Sequence, residues 1–316
     1  MGVATQPASH TREIMVNLHS ELIASRRFRS GLVLALLALG ACSSKPESLP
    51  SSSTAPAQPP VVSSAPVQPA TKRIVGPPTD ADIPAGPLGD AVKRGREIVT
   101  HTFETLPEHV GNNLHCTSCH LEGGTKPNAG PWTGLLAVFP EYRARSGKED
   151  TIEERINDCF ERSMNGKALE PAGADMKSIV SYMSFISNGV PAGETPGRGF
   201  PRVKNPPTPD RARGAALYTE KCIACHGADG AGQIINGLYV FPALWGTRSF
   251  NIGAGMARLD TAAAYVHANM PLGQAGTLTE QQAYDIADYF IHQERPDFAG
   301  KVRDWPKGGK PRDARY

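Results

Sequence analysis

The sequence predicts an all-α protein built from two similar units in tandem, set behind an export signal and a disordered Ser/Pro/Ala tether. Three observations carry that prediction. The string C-x-x-C-H occurs twice, as "CTSCH" from Cys116 to His120 and as "CIACH" from Cys222 to His226. Each string follows an amphipathic helical pattern that contains an Arg-Gly pair, Arg94–Gly95 in the first unit and Arg213–Gly214 in the second. Each is followed, beyond a Gly- and Pro-rich stretch, by a second stripe of apolar residues at helical spacing.

Taken in chain order, the first element is an address. Arg26, Arg27 and Arg29 precede the apolar run Leu32 to Leu39, which ends in "LGAC" at Cys42. A basic start and a short apolar core read as a signal peptide over residues 1–41, too short to span a bilayer as a mature helix. "LGAC" resembles the lipobox of bacterial lipoproteins, which makes Cys42 the lipidated residue; the alternative is an ordinary cleaved signal with an incidental cysteine. Met15 is a second candidate start. Residues 42–80 follow, with "SSSTAPAQPP" and "SSAPVQPA". Such a stretch buries too little apolar surface to fold and reads as a tether. Ser43 behind the lipid cysteine favours the outer membrane, on its periplasmic side.

The first folded unit is expected over 81–198. Its opening helix is "DAVKRGREIV", with Asp90 as N-cap and Val92, Ile98 and Val99 on the apolar face. Its closing helix is capped by Asp175 and buries Ile179, Val180, Met183 and Ile186, with Gly189 past its end. Residues 193–210 read as a linker. The second unit, 199–316, opens at Asp210 with "DRARGAALYTEKC". It closes with a helix capped by Thr279, with Gln282 at the reciprocal capping-box position. That helix buries Ala283, Ile286, Ala287, Phe290 and Ile291.

C-x-x-C-H is the attachment string of c-type haem: two thiols bond the porphyrin and the histidine ligates iron. Cys116, Cys119, Cys222 and Cys225 are therefore assigned to two covalently bound haems c, with His120 and His226 as axial ligands. The units then resemble class I cytochrome c domains. Covalent attachment occurs outside the cytoplasm on unfolded chains, which favours the general secretory route over the twin-arginine route that "SRRF" is compatible with. A content of 32 Gly and 28 Pro with only 7% aromatic residues suits domains that wrap a large apolar cofactor. The net charge of +2 gives no field for nucleic acid or an anionic membrane surface.

The distal ligands separate the units. In the second, "HANMPLG" offers Met270, a Met-Pro in the loop before the closing helix, with Met256 and His267 as rivals. Thioether ligation favours ferrous iron and raises the potential. The first unit has no Met-Pro. It has Cys159 instead, in "RINDCFERSMNG", the one cysteine of six left without an assignment. Its position suits a distal thiolate, which lowers the potential; the other reading is a buried structural cysteine. Asp150 or Thr151 starts its helix, with Ile152, Ile156, Cys159 and Phe160 on the buried stripe. Arg155 and Ser163 lie one turn either side of Cys159 on one face. "EYRARSG" adds Arg143 and Arg145.

"RINDCFERSMNGKAL", the two haem strings, "HANMPLG" and the tail "FAGKVRDWPKGGKPRDARY" together resemble the dihaem thiosulfate dehydrogenases, over roughly residues 85–316. The resemblance implies oxidation of two thiosulfates to tetrathionate, with electrons passed through two haems to an external acceptor such as a cytochrome c, and the reverse reaction is open to the same site. It implies Cys159 as distal ligand and active-site sulfur, Arg145 and Arg155 as substrate arginines, with Arg143 open to confusion with Arg145, and Ser163 as an active-site serine. Where some members carry a lysine before the distal methionine, this chain has Asn269, which implies steady His226/Met270 ligation. Two rival expectations are a plain dihaem electron carrier and a sulfur transferase subunit that loads thiosulfate sulfur onto a partner.

Overall fold

The computed structural model describes residues 77–316 other than Gly237. The expected signal, the expected lipidation site Cys42 and all but the last residues of the expected tether lie outside the described residues. Among those described, no helix is long and apolar enough to cross a membrane.

Two helical units follow each other along the chain. In the first, α1 (Pro87–Thr100), α2 (Thr102–Thr105), α3 (Leu121–Gly124), α4 (Ile152–Arg162) and α5 (Ala174–Ile186) surround a small hairpin. The second holds α6 (Arg211–Lys221), α7 (Ile223–His226), α8 (Leu259–Asn269) and α9 (Glu280–Ile291). Two antiparallel hairpins, β1 (Glu141–Arg143) with β2 (Lys148–Asp150) and β3 (Gln233–Ile235) with β4 (Leu238–Phe241), are additions to the all-α expectation. Their strands are three or four residues long, too short to show an alternating pattern in sequence.

The first and last helices of each unit cross in contact, and the Arg-Gly pairs explain how. A Cβ on Gly95 would stand 2.0 Å from the Ser178 carbonyl oxygen of α5, and one on Gly214 would stand 1.9 Å from that of Asp285 in α9. Both glycines are the points where two backbones touch. The arginine before each one reaches across the same crossing: Arg94 to Asp175 at 3.1 Å, Arg213 to Asp285 at 2.5 and 2.8 Å. Around the crossings lie the expected apolar faces, Val92, Ile98 and Val99 against Ile179, Met183 and Ile186, and Tyr218 against α9.

Helix starts follow local chemistry, with two corrections. Thr151 caps α4 and shares a capping box with Glu154, and Thr279 does the same for α9 with Gln282. Asp210 caps α6. Asp90, however, lies inside α1, which starts at Pro87 behind Gly86. Proline at the first helical position has the right φ already and loses no needed N–H. Gly173 rather than Asp175 is the N-cap of α5, because the Asp175 carboxylate is engaged by Arg94.

Buried asparagines join the two units. Asn251 Nδ2 donates to the Glu161 carbonyl at 2.9 Å, Asn112 Nδ2 to that of Ser249 at 3.2 Å, and Asn269 Nδ2 to that of Asn128 at 2.9 Å. Each is under a tenth exposed. A buried amide without a partner costs about 1–3 kcal/mol, so these bonds fix one arrangement of the units.

Candidate active site

Each C-x-x-C-H string opens onto its own apolar cavity. The first, about 280 Å³, is lined by Cys116, Cys119 and His120 and walled by Trp132, Phe160, Ile179 and Met183. The second, about 320 Å³, is lined by Cys222, Cys225 and His226 and walled by Tyr218, Leu244 and Phe290. The two histidines are held alike. His120 Nδ1 lies 2.5 Å from the Gly130 carbonyl oxygen and His226 Nδ1 lies 2.9 Å from that of Pro242. With Nδ1 donating to the carbonyl, Nε2 is left free, as iron ligation requires. Paired thiols beside an oriented imidazole in an apolar slot fit haem c in both cavities.

The distal candidates sort by cavity. Met270 caps the end of α8, with its backbone N–H on the Val266 carbonyl, and lines the second cavity. His267 is not among the residues lining it. Met256 lines both cavities and stands between them. In the first cavity Cys159 lines the slot together with His120. Helical spacing brings Arg155 back over the same sulfur, with Nη1 3.0 Å from Sγ. Burial pushes the Cys119 thiol up to about 12. Burial pushes Cys159 up as well, but the Arg155 charge and His120 outweigh it and leave the thiol at about 7. One cavity thus holds two thiols that burial keeps protonated and one, Cys159, that ionises far more readily.

A third cavity, polar and about 440 Å³, meets the first at Cys159. Arg143, Arg155, Arg198 and Ser163 line both. Ser163 sits at the C-cap of α4, its carbonyl held by Asn112. Arg145 lines only the polar cavity, and its side chain is tied on three sides. Nη1 lies 2.5 Å from the Gly253 carbonyl and 3.5 Å from Asp304, and the guanidinium stands 5.0 Å from the Trp305 ring centroid.

Sequence reasoning missed Arg162 and Asp304. Arg162 makes a two-pronged ion pair with Asp304 at 2.9 and 2.8 Å and a third contact with Asp158 at 3.2 Å. Asp304 also receives the Tyr316 hydroxyl. Its only sequence signal is its place in "VRDWP", inside the tail that carries the family resemblance.

Comparison with known proteins decides the family. A family model described as SoxA/TsdA, cytochrome c domain, matches residues 105–192, and one described as Cytochrome c matches residues 211–293. A thiosulfate dehydrogenase of Psychrobacter arcticus is 45% identical over 86% of this chain and 84% of its own length. The chain belongs to the thiosulfate dehydrogenase family. Another member, from Allochromatium vinosum, is 46% identical over 72% of this chain and 86% of its own. The solved thiosulfate dehydrogenase (TsdBA) of Marichromatium purpuratum superposes with a TM-score of 0.67 at 42% identity, over 70% of this chain. This chain spans half the length of that solved chain. Family membership and the two cytochrome c domains agree with the two cavities: the protein carries two covalently bound haems c.

Proposed function

We propose that this protein oxidises two thiosulfate dianions to tetrathionate on the periplasmic side of a bacterial membrane, held there by a lipid on Cys42. The N-terminal domain, 81–198, hosts the chemistry and the C-terminal domain, 199–316, carries electrons out. The haems supply the electron sink, and a soluble or membrane-bound carrier such as a cytochrome c takes the electrons away.

The observation that carries this reading is the position of Cys159, in contact with Arg155, in the same slot as His120, and at the junction of that slot with an arginine-lined cavity. The chemistry asked of the site is first electrostatic. Two dianions about 4 Å apart repel by roughly 4 kcal/mol even in bulk water. Guanidinium groups offset this, and their planar forks match sulfonate oxygens. Arg155 acts twice, keeping Cys159 as thiolate and drawing the first thiosulfate to it. The thiolate and the outer sulfur of that thiosulfate form a disulfide-type bond, giving up two electrons and leaving a singly charged sulfonate adduct. The outer sulfur of a second thiosulfate, gathered by Arg145 on the cavity wall, attacks the adduct sulfur that came from the first. The bond to Cys159 breaks, tetrathionate leaves, and the thiolate is restored. Thiol–disulfide exchange is the precedent. Ser163, next to the sulfur, donates its hydroxyl to a sulfonate oxygen. In the second domain His226 and Met270, which line one cavity, would hold the haem iron.

A plain electron carrier has no use for an arginine on a buried sulfur or for a polar cavity leading to it. The test is turnover of the purified holoprotein with thiosulfate and ferricyanide, assayed for tetrathionate. Wild type is expected to form it without a partner protein, and Cys159→Gly is expected to lose formation with a changed spectrum of one haem only. Full activity in Cys159→Gly rules the mechanism out, and a need for a carrier protein to accept the sulfur returns the transferase reading.

A further inference from the structure

The polar cavity carries more positive charge than the proposed chemistry has so far used, and the excess sits on particular residues. Six arginines line it: 143, 145, 155, 162, 198 and 258. Four carboxylates are distributed among them. Asp304 serves Arg145 and Arg162, Asp158 serves Arg162, Glu141 lies 2.6 Å from Arg198, and Asp313 lies 2.8 Å from Arg258. Of these six, only Arg143 and Arg155 have no carboxylate within 3.5 Å. Arg155 is spent on Cys159. Arg143 reaches no nearer than 3.9 Å to Glu141, which is already held by Arg198.

Arg143 is placed by the hairpin. It ends β1, pairs in register with Lys148, and accepts the N–H of Gly147 at 2.8 Å in a tight turn. From there it lines both the haem slot and the polar cavity, as Cys159 does, whereas Arg145, two residues on, lines the polar cavity alone. Burial and the neighbouring Arg155 charge both weaken Arg143's hold on its proton. A desolvated, unneutralised guanidinium beside another is costly unless an anion lies between them. With Arg155 set against the Cys159 sulfur, the cavity is left with one positive charge that has no close counter-charge, and it sits on Arg143.

We infer that Arg143 is a substrate-binding residue: with Arg155 it forms the inner anion subsite that holds the sulfonate of the thiosulfate bonding to Cys159. Arg145 then belongs to the outer wall, braced by the Gly253 carbonyl, Trp305 and Asp304. This inference rests on the thiosulfate reading above and deepens it.

The test uses holoprotein variants and steady-state thiosulfate oxidation. Loss of one charge-assisted contact in Arg143→Gln is expected to raise KM by about 10- to 100-fold. The haem spectra stay those of wild type, and kcat falls far less than KM rises. Arg143→Lys keeps the charge without the fork and recovers part of the KM, which also covers a glutamine variant that fails to fold. Glu141→Gln, which removes the carboxylate 3.9 Å from Arg143, lowers KM; a purely structural role gives no such opposite pair. KM within about twofold of wild type in both Arg143→Lys and Glu141→Gln overturns the inference, taking twofold as smaller than one such contact. Cys159→Gly run in parallel separates the two failures. If it is inactive while Arg143 variants are neutral, only the inner subsite falls; if it is fully active, the thiosulfate chemistry falls and the subsite with it.

Discussion

Asp285 is wholly buried yet belongs to a charged network. Its oxygens accept from the Asp210 N–H at 2.7 Å, from Arg213 at 2.5 and 2.8 Å, and from Gln281 at 2.9 Å. Burial pushes its pKa up, but Arg213 and these donors outweigh it and hold the carboxyl below its ordinary value. A lowered folded pKa means that the unfolded chain binds the proton more readily. The stabilisation is therefore complete above the unfolded value, about 3.9. It is lost as pH falls through the lower folded value. Thermal melts of wild type and Asp285→Asn are expected to differ most at neutral pH and to converge below about pH 4. A gap that stays constant with pH rules out this linkage. Sequence legibility divides at this scale by distance along the chain. Arg155, Cys159 and Ser163 were readable as one face because helical spacing alone brings them together, and Arg155 meets Cys159 as the spacing requires. Asp304 was not readable as the partner of Arg145 and Arg162, since the contact spans 142 residues to Arg162 and no local pattern encodes it.

The two helix crossings were legible as elements, but the part played by their glycines emerges only from the packing. The repeated Arg-Gly pair was visible as internal similarity; its cause is that α1 touches α5, and α6 touches α9, through backbone at that residue. A methyl group at either position overlaps a carbonyl oxygen by more than an ångström. Such overpacking costs about 1–3 kcal/mol where neighbours can shift, and here the neighbour is backbone. Gly95→Ala and Gly214→Ala are each expected to lower the melting temperature by several degrees, and each selectively, since each crossing closes one haem slot. Gly95→Ala weakens retention of the native spectrum at the N-terminal haem, and Gly214→Ala at the C-terminal haem. Equal effects on both spectra, or none on the melting curve, contradict this. What failed at this scale failed for a local reason. Asp90 and Asp175 have good capping side chains, but Pro87 starts α1 earlier and Arg94 claims Asp175 for the crossing.

At the scale of the whole molecule, the second domain supplies part of the first domain's site. After α9 the chain passes a 3-10 turn at Ala299–Arg303 and runs back so that Trp305, Gly309 and Pro311 wall the polar cavity beside Arg145. The Trp305 N–H donates to the Arg145 carbonyl at 2.8 Å, and the Tyr316 ring packs at a tilt against Trp305, centroids 5.5 Å apart, while its hydroxyl meets Asp304. Asp304 is the keystone, its side chain only 3% exposed and shared by two arginines. Removing one partner from a buried ion pair costs about 3–5 kcal/mol, because the other charge is left without compensation. Asp304→Ala is therefore expected to lower the melting temperature by about 10 °C in a domain pair of this size. It also frees Arg145 and Arg162 to swing, so kcat/KM for thiosulfate falls with it. Ending the chain after Arg303 makes the sharper test. Both C-x-x-C-H strings, His120, Cys159, His226 and Met270 all precede the cut, so both haems are expected to attach and to show their wild-type spectra. The outer wall is gone, and tetrathionate formation is expected to fall by at least about tenfold, the effect of one lost charge-assisted contact. If the truncated protein turns over like wild type, the tail is packing alone and the anion site belongs to the first domain by itself.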